Sequence, residues 1–208
     1  MLEKIKLMAI IREVQPECSL EIIRVLAEEG LKDFEISLSD SALGLECIRQ
    51  AQERYAGTEI HVGAGTVSRK EEIDELAKLK VPYILAPGFD AEIVEYAQEK
   101  GIEVLPGVLT PTDVQMAVNH GITLLKLFPA DAFGKGYIKA LKGPFPQTDY
   151  VAVGGVNLDT AASYFEQGFS GIAVGNNLVP KKACLQDLEK IRLTGRKYVE
   201  IVKQYGKD

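Results

Sequence analysis

Apolar positions in this chain fall into two rhythms that take turns along its length. Short, nearly unbroken apolar runs near residues 7–11, 33–38, 60–63, 82–86, 102–105, 122–128, 150–153 and 171–174 read as strands buried on both faces, as in a parallel sheet. Between them lie stretches with apolar residues three and four apart, clearest in 19–30, 68–80 and 90–101. These read as amphipathic helices with Ser19, Ser68 and Asp90 as N-caps. Several helices end the same way, in a charged or polar turn, a glycine and then the next apolar run, at Gly30, Gly101, Gly121 and Gly168. Glycine there accommodates the left-handed backbone that closes a helix. Eight βα units with no dividing linker predict one domain over residues 1–208, an α/β protein of the (β/α)8 TIM-barrel type. A doubly wound open sheet is the rival architecture. It usually needs fewer strands, and no GxGxxG turn follows the first strand.

Composition narrows the partners. With 24 basic and 30 acidic residues the net charge is −6, and no basic stripe offsets it, which argues against nucleic acid. Three widely spaced cysteines and two histidines argue against a disulfide framework or a zinc site and predict no bound metal. No apolar run approaches the roughly 18 residues of a membrane span. The N-terminal apolar run is too short and too soon interrupted for a signal peptide, so a reducing, cytoplasmic setting is expected.

In a (β/α)8 barrel the chemistry sits at the C-terminal ends of the strands. Lys126 lies inside the run LLKLFP, where Leu124, Lys126 and Phe128 share one face and Leu125 and Leu127 the other. If the leucines face the helices, Lys126 points into the barrel. Lost solvation there lowers its proton affinity, and a neutral amine attacks ketones to form a Schiff base. The same spacing fits a structural lysine, ion-paired or snorkelling. In DFEISL the polar face carries Asp33, Glu35 and Ser37, so Glu35 shares that interior and suits proton transfer. A buried Glu35–Lys126 ion pair without chemistry is the alternative. Arg12, at the end of the first strand, supplies a cation that would bias Lys126 toward neutrality, or is a solvated loop charge. Glycine pairs or singles close the last two strands, Gly154 and Gly155 in VAVGGVN and Gly175, followed by Asn176, in GIAVGNN. Loops after strands seven and eight often hold phosphate in this fold. Asn176 or Asn177 is placed to cap a short helix after the last strand. Thr66, after the glycines of GAGT, offers a hydroxyl to a carboxylate, and Pro87 and Pro106 shape the rim.

Together these residues resemble the class I aldolases acting on 2-keto-3-deoxy-6-phosphogluconate and 4-hydroxy-2-ketoglutarate. GITLLKLFPADAFG (121–134) is similar to that family's Schiff-base segment, and FEISL, GAGTV, LPGVLTPTD, KALKGPFPQT, AVGGVN and AVGNNLV extend the likeness over essentially the whole chain. The resemblance implies Lys126 as Schiff-base lysine and Glu35 as general acid/base. It implies Arg12 and Thr66 at the pyruvyl carboxylate, Pro87, Phe128 and Val153 lining the substrate pocket, and Gly154, Gly155, Gly175 and Asn176 at the phosphate. It further implies a homotrimer with no metal or organic cofactor, handling phosphorylated ketoacids and pyruvate. Ser37-Leu38-Ser39 replaces a common threonine–leucine–arginine run, which puts more weight on Arg12. Val153 stands where threonine is common and Asn176 where serine is common. The valine looks more like the branch acting on the phosphogalactonate epimer. An aldolase for unphosphorylated 4-hydroxy-2-ketoglutarate and a non-catalytic sugar-phosphate-binding barrel are the alternatives.

Overall fold

A computed structural model describes residues 1–206. All strands are parallel and run in the order β5 (Glu103–Leu105), β4 (Tyr83–Leu85), β3 (His61–Gly65), β2 (Asp33–Ser37), β1 (Leu7–Ile11), β9 (Gly171–Val174), β8 (Asp149–Val153), β7 (Leu124–Leu127), β6 (Gly107–Val108). Eight strands were expected, and nine are present among the described residues because Pro106 divides the fifth. Leu105 pairs with Leu85 on one side, while Gly107 pairs with Lys126 on the other. Proline has no N–H to offer a ladder, so a strand breaks there at little cost. The Pro106 carbonyl still accepts from the Lys126 N–H at 3.0 Å. The two ends of the sheet are thus consecutive pieces of one stave, and the barrel is nearly closed.

Among the described residues eight α-helices surround it: α1 (Pro16–Glu28), α2 (Ser41–Tyr55), α3 (Lys70–Lys78), α4 (Ala91–Glu99), α5 (Pro111–Asn119), α6 (Tyr137–Lys142), α7 (Ala161–Glu166) and α8 (Leu188–Tyr205). Two of the expected N-caps move. Pro16 opens α1, because its fixed φ suits the first helical position, and Ser19 is buried one turn inside, its hydroxyl donating to the Pro16 carbonyl. At α3 the N-cap is Arg69 and the helix starts at Lys70, two residues beyond Ser68. Asp90 does cap α4, accepting from the N–H groups of Glu92 and Ile93. Gly30, Gly101, Gly121 and Gly168 all have positive φ, between 74° and 101°.

The strands' alternation divides the core in two. Ala9, Ile11, Phe34, Ile36, Leu125, Leu127, Ala152 and Ile172 face the helices. Met8, Ile10, Tyr83, Leu85, Leu105, Val151, Val153 and Ala173 fill the barrel interior, with Leu2 and Ile5 packed among them. Glu35, Ser37 and Lys126 are buried at 1%, 3% and 7% exposure, on the interior face that period two assigns them.

Candidate active site

Glu35 enters the barrel from β2, between Ile10 of β1 and Gly63 of β3. Its neighbours are shaped around it. A β-carbon on Gly65 would overlap the Glu35 carboxyl group, and one on Gly63 would overlap the Tyr83 ring. These glycines admit side chains of the protein itself. Tyr83 then fills the floor below the site, its hydroxyl donating toward the Phe34 carbonyl at 3.0 Å, with the His61 carbonyl at 3.2 Å. Glu35 Oε2 is buried without a hydrogen-bond partner. Burial pushes the Glu35 carboxyl above its ordinary range, against the pull of Lys126 and then Arg12.

Lys126 shows the opposite response to the same environment. Desolvation lowers its pKa, Glu35 partly restores it, and the Arg12 guanidinium lowers it further. Among the described residues its ammonium nitrogen makes neither a hydrogen bond nor an ion pair at 4.0 Å or closer. Its near polarisable neighbour is Phe128, whose ring centroid lies 5.1 Å from Nζ. Burial therefore drives the acid and the amine toward their neutral forms, the states in which one donates a proton and the other attacks a carbonyl.

Above them a cleft of about 380 Å³ opens between β1, β7, β8 and β9, lined by Arg12, Phe128, Val153, Gly154, Gly155, Gly175, Asn176 and neighbours. Phe128 thus borders both the cleft and Lys126. Among the described residues, the backbone N–H groups of Gly154, Gly155, Gly175 and Asn176 have no protein acceptor. The short helix expected to start at Asn176 or Asn177 does not form there. Residues 175–179 form a turn in which the Gly175 carbonyl accepts from Leu178 and Val179. Asn177 caps nothing and instead donates through Nδ2 to the Val156 carbonyl at 2.7 Å, tying the two glycine loops together.

Thr66 and Pro87 lie outside that cleft lining, on the opposite arc of the mouth. Thr66 is at φ +63°, a left-handed conformation that costs a β-branched residue about 1–3 kcal/mol. There its Oγ1 meets Ser37 Oγ at 3.1 Å, and Ser37 Oγ lies 3.3 Å from Ser39 Oγ. Pro87 is exposed and its carbonyl presses on Gly107. The hydroxyl chain, Tyr83 and the role of Gly65 were not read from the sequence. The one available signal was that Gly63, Gly65 and Glu35 share a face across adjacent strands, which marks a large group beside a missing side chain.

Comparisons with known proteins bear on this arrangement. The model of the KDPG and KHG aldolase family matches residues 1–193. The chain belongs to the KDPG and KHG aldolase family. This aldolase is 35% identical over 84% of its length to the 2-dehydro-3-deoxy-6-phosphogalactonate aldolase of Escherichia coli (strain K12), covering 85% of that protein. It is 34% identical over 70% of its length to a 2-dehydro-3-deoxy-phosphogluconate aldolase of Pseudomonas aeruginosa, covering 65% of it. A solved structure of native KDPGal superposes with a TM-score of 0.88 at 30% identity, over 97% of this chain and 96% of the other. Among the described residues of the aldolase, no group of three or more His, Cys, Asp and Glu side chains is arranged to hold a metal ion. None of its described helices is long and apolar enough to cross a membrane.

Proposed function

We propose that this aldolase works through a Schiff base on Lys126, cleaving a 2-keto-3-deoxy-6-phospho sugar acid to pyruvate and glyceraldehyde 3-phosphate. The observation that carries the reading is the unpaired, buried amine of Lys126 in the same interior as the orphaned carboxyl oxygen of Glu35. The neutral amine adds to the 2-keto carbon and the resulting carbinolamine keeps the nitrogen's proton on oxygen. Glu35, as the neutral acid, protonates that hydroxyl, water leaves, and an iminium faces a carboxylate. The carboxylate takes the proton of the carbon-4 hydroxyl, the bond between carbons 3 and 4 breaks, and its electron pair flows into the iminium to give an enamine. Glu35 returns the proton to carbon 3, and water then releases pyruvate and restores lysine and acid. Every proton that Glu35 gives or takes goes to or comes from the bound substrate or the water that hydrolyses it, so the charge of an iminium is always matched by that of the carboxylate and no net charge is created in the low-dielectric interior.

Arg12 and the Thr66 hydroxyl serve the pyruvyl carboxylate, and Pro87 and Phe128 wall the pocket. The unpaired N–H groups of Gly154, Gly155, Gly175 and Asn176 suit a phosphate at the far end of the substrate, where its binding orients the reacting carbons. Val153 puts no hydroxyl near carbon 4, and we assign the 6-phosphogalactonate epimer as the preferred substrate. The working form is a cytoplasmic homotrimer, which sedimentation would reveal as a single species three times the 22.8 kDa chain mass. Borohydride reduction in the presence of pyruvate is the decisive test. Mass spectrometry should find the adduct on the Lys126 peptide, and its absence there would overturn the mechanism.

A further inference from the structure

Glu72 has no place in the chemistry above, yet it is 5% exposed in the first turn of α3, on the barrel's flank. Its Oε2 accepts from the Ser68 backbone N–H at 3.1 Å. Its Oε1 accepts from the Ser41 hydroxyl at 3.3 Å and from Arg69 Nε and a terminal nitrogen at 3.2 and 2.7 Å. Ser41 opens α2 two residues after Ser39, and Ser68 follows Thr66 by two. One buried carboxyl group therefore stitches the loop after β2 to the loop after β3.

Those loops carry the chain of hydroxyls from Ser39 through Ser37 to Thr66. Thr66 holds a left-handed backbone that a threonine leaves unless the residues beside it are pinned. Immediately beyond it, the Val67 N–H is bonded to the Leu85 carbonyl and the Ser68 N–H to Glu72. We infer that Glu72 is a positioning residue, which holds Thr66 in its strained conformation and in register with Ser37, so that the hydroxyl side of the mouth is set for a pyruvyl carboxylate before one arrives. This rests on the Schiff-base reading of the site.

The test measures how borohydride trapping on Lys126 depends on pyruvate concentration. Glu72→Ala should need roughly tenfold more pyruvate for half-maximal trapping while reaching the same extent at saturation. Glu72→Gln should stay within about threefold of the natural protein, because its amide oxygen still accepts from Ser68 and its amide nitrogen can donate to Ser41, and only the contact with the exposed Arg69 side chain is lost. In a Thr66→Gly background, where neither strain nor hydroxyl remains, adding Glu72→Ala should shift the dependence no further. Ser41→Ala, which cuts only the link to the β2 loop, should give a smaller shift in the same direction and covers the case of an unfolded Glu72→Ala. An unchanged pyruvate dependence in Glu72→Ala or, failing that variant, in Ser41→Ala, even with lowered Tm, overturns the inference. Absence of any adduct in the natural protein instead overturns the Schiff-base reading, and the inference with it.

Discussion

The two arcs of the barrel mouth are built from different material. On the β2–β3 arc the polar groups are side chains: Glu35, Ser37, Ser39 and Thr66. On the β8–β9 arc they are backbone N–H groups, bared at Gly154, Gly155, Gly175 and Asn176. Side chains deliver charge and protons but move, so that arc needs room cut for it by Gly65 and a brace from Glu72. Backbone groups cannot transfer a proton at neutral pH, but they are fixed by the strand ends and need only the absence of a β-carbon. On the proposed mechanism, proton transfer and a hydroxyl for the pyruvyl carboxylate belong to the first arc and the phosphate to the second, with Lys126 serving both.

The largest effect is expected where both arcs meet. Lys126→Met should lower cleavage by about 10⁴-fold or more and abolish the borohydride adduct, judged by turnover and mass spectrometry. Its Tm should rise, because a buried group whose charged form is disfavoured has been replaced by an apolar one of similar length. Retained turnover would make the arcs a binding site around some other nucleophile.

Gly65→Ala breaks the side-chain arc alone. The new methyl displaces the Glu35 carboxyl, and a shift of that size should cost about 10²-fold in kcat. Pyruvate should still be trapped on Lys126, more slowly. An unaffected kcat would mean that Glu35 is not the proton carrier.

Arg12→Ala sharpens the electrostatic side of the comparison. Arg12 lowers the Lys126 pKa, so its removal should move the basic-going limb of the pH–rate profile to higher pH. The stability sign follows from the same shift. Between the lowered folded pKa and the ordinary 10.5, the unfolded chain binds the extra proton, so stability climbs as pH rises through that window. Denaturant titrations across pH should show this climb, and Arg12→Ala should narrow its range.

Gly175→Ala gives the smallest effect and isolates the backbone arc. Open space surrounds the position, the nearest heavy atom to an added β-carbon being on Ile10 at 3.9 Å, so the fold should be undisturbed. KM for the phosphorylated ketoacid should rise by roughly 10-fold through lost anion contact, with pyruvate trapping unchanged. Equal losses for phosphorylated and unphosphorylated substrates would remove the phosphate from that arc.

Local periodicity determined much of this protein. Period two placed Glu35 and Lys126 on the inner face and their apolar neighbours on the outer one, because a strand's side chains must alternate. The helix-closing glycines spaced the βα units, because few other residues take that backbone. What lay beyond the sequence depends on which strands touch and in what register. Only the folded barrel shows that Pro106 lets one strand serve two neighbours. The space beside Gly63 and Gly65 is taken by Tyr83 and Glu35, and Lys126 lies near the acid without bonding to it. Glu72, an ordinary helix glutamate by its spacing, becomes the tie between two loops. Such contacts join residues tens of positions apart, and their distances are set by the closure of the whole sheet, which no local pattern encodes.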